Sequence, residues 1–174
     1  MGSEELEGET VTWLRLSTQR VLSPFLDALA KSHGWLKLVI VSPWISEFGH
    51  ESGTMTFRQM IKRLKDDDAA GYVVTRPPDK PWHTDAIELL KESGKVQVRF
   101  HPSLHSKLYV AATKQSDFAL LGSANMTRQS FSNREIGVIV RKVGAGAPVY
   151  RKLTEEASNI HRDPISWIHH RRKF

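Results

Sequence analysis

Apolar positions along this chain follow two rhythms, one of helical spacing and one of short, nearly unbroken runs. From about Val11 to Ser32, Leu14, Leu16, Val21, Leu22, Phe25, Leu26 and Leu29 suggest a helix. Ser23-Pro24 can open its second part, and Gly34 stops it. Residues 1–10 before it read as a frayed start. Trp35 to Val41 is an apolar run ended by Ser42-Pro43, the signature of a buried strand. Thr54 can cap a helix reaching Lys65, with Met55, Met60, Ile61 and Leu64 on its apolar face. Tyr72 to Thr75 is a second strand, Arg76 to Pro81 a rigid loop, and Trp82 to Glu92 a helix ended by Ser93-Gly94. Lys95 to Phe100 alternates as a third strand; Leu104–Ala112, Phe118–Leu121 and Glu135–Val140 are the fourth, fifth and sixth. Gly144 to Pro148 is a flexible joint before a helix over Val149–Ile160. Strand and helix alternate early and strands crowd later. The pattern predicts one α/β domain over residues 1–174, with a mixed β-sheet flanked by helices on both faces and flexible termini at 1–10 and 165–174.

Composition narrows the picture. Apolar residues at 40% and charged residues at 25% suit an ordinary folded domain. The net charge of +6 favours an anionic partner, nucleic acid first among them. With no cysteine, disulfides and cysteine-ligated zinc are excluded. The acidic, polar start is the opposite of a secretory signal, and the longest apolar run is too short to span a bilayer. These features predict a cytoplasmic protein without stable membrane association. Asp66-Asp67-Asp68, at a predicted helix end before Gly71, reads as a solvated exit rather than a metal site.

The chemistry concentrates in His105-Ser106-Lys107, Gly122-Ser123-Ala124-Asn125 and Glu135. At strand period two, His105 and Lys107 share a face, as do Ser123 and Asn125. Gly122 lets a backbone or a phosphate come close. An imidazole, a fixed cation, a hydroxyl, an amide and a carboxylate can thus converge on one anionic group, an inventory suited to phosphoryl transfer. Lys107 can neutralise phosphate oxygens while Ser123 and Asn125 donate hydrogen bonds to them. Neutral His105 can attack phosphorus if its other ring nitrogen is held, and Glu135 is the available acceptor. A second imidazole must protonate the leaving oxygen.

Taken together, His105-x-Lys107, Gly122-Ser123-x-Asn125 and Glu135 resemble the HKD signature of the phospholipase D superfamily. Val41-Ser42-Pro43-Trp44 also resembles that family, and the similarity runs from roughly Trp35 to Val140. The resemblance implies a phospholipase D-like α/β/α sandwich, with His105 as nucleophile and the His105 of a dimer mate as general acid. It implies phosphate binding by Lys107, Ser123 and Asn125, orientation of the histidine by Glu135, and chemistry that needs no metal or cofactor. Short single-motif members of the superfamily are nucleases that build one site across a two-fold axis, so a homodimer is implied. One position departs: the aspartate five residues after the lysine is Ala112 here. Asp117, close in sequence, is a weak candidate to replace it.

The function these readings predict is a metal-independent phosphodiesterase or nuclease, cleaving DNA or RNA through a covalent phosphohistidine. It would serve a defence or nucleic-acid-processing system, with room for partner subunits. Two alternatives share the residues: phospholipid hydrolysis, and a non-catalytic nucleic-acid-binding module that Ala112 keeps open. Arg76, Lys80, Arg99 and Arg128 flank the predicted site loops and are candidates for tracking a nucleic-acid backbone, with ordinary surface charge as the plain alternative. The His170–Lys173 cluster is another such contact. His50, His83 and His101 read first as loop residues, and His161, His169 and His170 as solvated tail. Trp35, Trp44 and Trp82 read as core or interface, with base stacking second.

Overall fold

A computed structural model describes residues 3–6, 9–15, 21–53, 55–143 and 146–167, with side chains from Val21 onward. The elements run β1 (Ser3–Leu6), β2 (Glu9–Arg15), α1 (Leu22–Lys31), β3 (Trp35–Val41), α2 (Phe57–Asp66), β4 (Ala70–Thr75), α3 (Pro81–Glu92), β5 (Val96–Phe100), β6 (Leu108–Thr113), β7 (Phe118–Gly122), β8 (Ile136–Lys142) and α4 (Pro148–Arg162). The strands of the described residues form one sheet in the order β1-β2-β8-β7-β6-β3-β4-β5. Strands β3, β4 and β5 are parallel, joined through α2 and α3, and the remaining pairings are antiparallel. A parallel return needs a crossover long enough for a helix, whereas β6 and β7 join by a short hairpin. The predicted mixed sheet between helices is therefore the observed architecture.

The apolar run of β3 sits between β6 and β4 and feeds both faces of the sheet. Leu38 and Ile40 point into the larger core with Phe25, Met60, Tyr109 and Phe118, beneath α1 to α3. Val39 and Val41 point the other way, meeting Val74, Val110, Val140, Tyr150 and Ala157 beneath α4. Helix α2 starts in a capping box: the Gln59 amide donates to Thr56 Oγ1 at 3.2 Å, and the Thr56 amide donates to Gln59 Oε1 at 2.8 Å. Pro81 opens α3, where its missing N–H costs nothing.

Two predictions fail at the start of the chain. Val11 to Arg15 belongs to β2, in register with β8 (Thr12 opposite Ile139), and helix begins only at Leu22. Residues 3–6 are strand too, so the stretch read as frayed holds half of a hairpin. Thr10-Val11-Thr12-Trp13 is rich in β-branched and aromatic residues, and Thr12, Leu14 and Leu16 fit period two as well as helical spacing. The long-range ladder to β8 decides between them. Thr54, Leu16, Gly144, Ala145, His169 and the His170–Lys173 cluster lie outside the described residues.

Candidate active site

The C-terminal ends of β3, β4, β5 and β7 meet the N-terminal ends of β6 and β8 along one edge, where open α/β sheets commonly bind ligands. A buried hydroxyl pins two of the loops there. Ser42 Oγ donates to the Trp44 carbonyl at 2.8 Å and accepts from the Met126 amide at 3.0 Å. Tyr109, fully buried in β6, donates to the Ala124 carbonyl at 2.6 Å. Burial pushes its phenol pKa far up, so it stays a donor. Asn125 is thus held between two fixed backbone neighbours. Thr75 Oγ1 donates to the Pro43 carbonyl at 3.1 Å and lies 2.9 Å from His83 Nε2, tying α3 to the same loop.

His105 and Lys107 lie in the loop just before β6 rather than on a strand. They still meet: Lys107 Nζ is 3.0 Å from His105 Nδ1 and donates to the His105 carbonyl at 2.8 Å. His105 is exposed, while Lys107 is only 9% exposed. That burial lowers the Lys107 pKa; Arg76 pushes the same way and Glu135 opposes. Ser123 Oγ donates to the Glu135 carboxylate and accepts from the Ile136 amide at 3.0 Å. Glu135 therefore pairs with Ser123, not with His105 as predicted. Lys107 takes the His105 nitrogen because both sit in one turn of loop. Gly122 does permit a close approach, by β8 itself: a Cβ there would lie 2.5 Å from the Ile136 carbonyl oxygen.

Asn125 is half-buried, and its Oδ1 is shut from solvent without a hydrogen-bond partner. It borders a cavity of about 1140 Å³ whose walls include Trp44, Trp82, Lys80 and Arg128. Arg76 stands nearby, donating from Nε to the Leu104 carbonyl at 2.7 Å with its guanidinium 4.9 Å from the Trp44 ring centroid. Arg128 is paired with Glu51 at 2.9 Å. Of the four predicted backbone-tracking cations, Arg76, Lys80 and Arg128 border this region. Arg99 does not. Val98 and Phe100 on either side point to the larger core, so alternation sends Arg99 beneath α4, where Nη1 donates to the His161 carbonyl at 3.0 Å.

Other residues also move from their predicted places. His83 is fully buried on α3 rather than in a loop, and desolvation drops its pKa to about 4. His161 lies on α4 against Tyr72 rather than in a solvated tail. His101 Nε2 stands 3.6 Å from Asp163, and His50 is exposed in a short turn. Trp35 is core, as predicted, while Trp82 is 44% exposed at the cavity wall. Asp66 and Asp68 pair with Lys62 and Lys95, and Asp67 accepts from the Trp35 amide and Arg63. Asp117 is committed elsewhere: it accepts from the Thr113 amide and Lys142, turning the β6–β7 hairpin far from His105. Ala112 sits at that same far end of β6, opposite Lys37. The framing roles of Tyr109 and Ser42, whose hydroxyls are neighbours, emerge only from strand pairing.

The chain has the phosphodiesterase fold of the phospholipase D superfamily. A family model described as "Cardiolipin synthase, PLD-like domain" matches residues 44–160, and the chain belongs to that family. A phospholipase D family member, Nuc, from Salmonella typhimurium is similar in structure (TM-score 0.64, 13% identity, covering 92% of this chain and 97% of that one). So is NucT from Helicobacter pylori (TM-score 0.57, 13% identity, 87% and 94%). Phosphatidylserine synthase from Haemophilus influenzae matches with TM-score 0.60 at 15% identity, over 92% of this chain but 40% of its own. A search of the curated proteins finds no significant match. Among the described residues no helix is long and apolar enough to cross a membrane.

Proposed function

We propose that the chain is a nuclease that cleaves phosphodiester bonds through a covalent phosphohistidine at His105, in a site completed by a second copy. The observation that carries this reading is the convergence at one sheet edge of His105, Lys107, Ser123 and Glu135, with Asn125 beside them at the cavity. A bound phosphate replaces His105 as the partner of Lys107, freeing the ring for attack. A ring nitrogen of His105 bonds to phosphorus as the bond to the leaving oxygen breaks, and the His105 of the second copy protonates that oxygen. Water then attacks the phosphohistidine, giving its proton back to the second imidazole and releasing His105. Lys107, Ser123 and Asn125 bear the charge on the non-bridging oxygens.

Two further features support the dimer and the substrate. Leu121 and Ile136, 46% and 61% exposed, flank Gly122, Ser123 and Glu135 and give the site an apolar margin suited to an isologous contact. The net charge of +6 suits a nucleic acid, with DNA favoured, as do Arg76, Lys80 and Arg128 beside the cavity. Purified protein in EDTA is expected to cut single- or double-stranded DNA or RNA, to yield an acid-labile phosphoenzyme, and to scatter light as a dimer. His105→Ala should abolish cutting and trapping alike. Intact substrates under all these conditions, or cleavage that survives His105→Ala, would overturn the reading.

A further inference from the structure

On the sheet face opposite α1 to α3, a partly enclosed pocket of about 270 Å³ opens between α4 and strands β3 to β5. Its walls are Lys37, Val39, Tyr72, Arg99, Ala157, Ser158, His161 and Arg162, and none is acidic. Two nitrogens of its wall residues, Arg99 Nε and His161 Nε2, are buried and have no hydrogen-bond partner among the described residues. Arg99 spends one terminal nitrogen on the His161 carbonyl, which fixes its fork and leaves Nε without a partner among the described residues. Lys37 Nζ lies 5.5 Å from the Tyr72 ring centroid, and the same ring meets the His161 imidazole edge-on at 5.1 Å. Across the ladder from Lys37 stands Ala112, which offers no carboxylate. Burial, then Arg99, Lys37 and Arg162, all lower the His161 pKa, so every neighbour that acts on this imidazole is a cation.

A buried guanidinium nitrogen without an acceptor is costly, and the pocket wall offers Arg99, Lys37 and Arg162 no acidic partner. A water molecule would accept hydrogen bonds there but would leave the charge unbalanced. The volume falls just below the ~300–1,000 Å³ of pockets that bury drug-sized ligands. We infer that this pocket is a second anion site, separate from the strand-end cluster, that takes a small phosphate-bearing ligand: a free phosphate or the phosphate of a mononucleotide. Arg99, Lys37 and Arg162 supply the positive charge around the phosphate, with His161 in the wall beside it. The inference does not depend on the proposed nuclease activity.

The test uses the full chain carrying His105→Ala and Lys107→Ala, so that phosphate at the strand-end site does not intrude. Inorganic phosphate is titrated in at constant ionic strength while the His161 imidazole signals are followed by NMR. Saturable shifts at millimolar phosphate are expected, with affinity reduced at least about tenfold by Lys37→Gln, whose side chain is half-exposed, and by Ala112→Asp. Adenosine monophosphate in place of phosphate identifies the source: tighter binding marks a mononucleotide, equal binding a free phosphate, and both uphold the site. Unmoved His161 signals, shifts that Lys37→Gln leaves intact, or a response confined to an oligonucleotide would each overturn it.

Discussion

At the strand-end site Lys107 and Arg76 act on the same surroundings as Glu135, whereas beneath α4 Lys37, Arg99 and Arg162 surround an imidazole with no carboxylate in the pocket wall. Both places gather positive charge; they differ in how it is balanced. At the strand ends the chain supplies both signs, and the pairs can be exchanged: Lys107 with His105, Ser123 with Glu135. On the proposed reading, such a cluster accepts a phosphate, rearranges and releases it. Beneath α4 the pocket wall supplies no negative partner, so the anion inferred there would be held rather than turned over.

The sharpest way to break this contrast is to remove the exchangeable partners. His105→Ala and Lys107→Ala are each expected to lower the single-turnover rate constant for oligonucleotide cleavage by at least about a thousandfold. Neither change should move the His161 NMR signals. If either did, the two places would be coupled and the contrast lost.

Next in size is the response of the site's frame to acid. His83 binds a proton near pH 4 when folded but near 6.5 when unfolded, so unfolding takes up a proton between these values. Its contribution is full above about pH 6.5 and is lost as pH falls toward 4, to a limit of about 3 kcal/mol. Denaturant unfolding from pH 7 to pH 4 should show that slope, and His83→Phe should flatten it. Tyr109→Phe tests the floor of the site from another side. It leaves the buried Ala124 carbonyl without its donor, and a loss of about 1–3 kcal/mol is expected from thermal or urea unfolding.

The smallest effect belongs to the pocket beneath α4. A carboxylate at position 112 would face Lys37 directly across the ladder. Ala112→Asp is expected to be more stable than Ala112→Asn by about 0.2–1 kcal/mol at low salt, a difference that shrinks at high salt. Equal stability in both salts would mean that the cations there are already balanced.

The sequence carried the sheet's inner strands and the reactive cluster because both are written in local signals. Trp35 to Val41 is apolar but for Lys37, and His105, Lys107, Ser123, Asn125 and Glu135 come in the spacing of the HKD signature. Their geometry was less legible. His105 and Lys107 meet through a loop, not through strand alternation, and Glu135 goes to Ser123 because the β7–β8 pairing brings their backbones together. Arg99 was misplaced for want of face information: the direction of its side chain follows from Val98 and Phe100 only once the core side of β5 is known. β2 was lost to helix because its deciding partner, β8, lies at the other end of the chain. His83 and His161 give no local hint of burial, which comes from what α3 and α4 are packed against.

That remote pairing of β2 with β8 has a consequence for how the protein is made. The β3–α2–β4–α3–β5 stretch closes through short crossovers and can gather itself while still emerging from the ribosome. β2 can pair at once with β1, but its other edge must wait until residues 136–142 have been synthesised. Until then that edge of β2 is open to other chains, so crowded or rapid synthesis should penalise this half first. Limited proteolysis of ribosome-bound nascent chains stalled before residue 136 should cut within residues 9–15 while sparing β3 to β5.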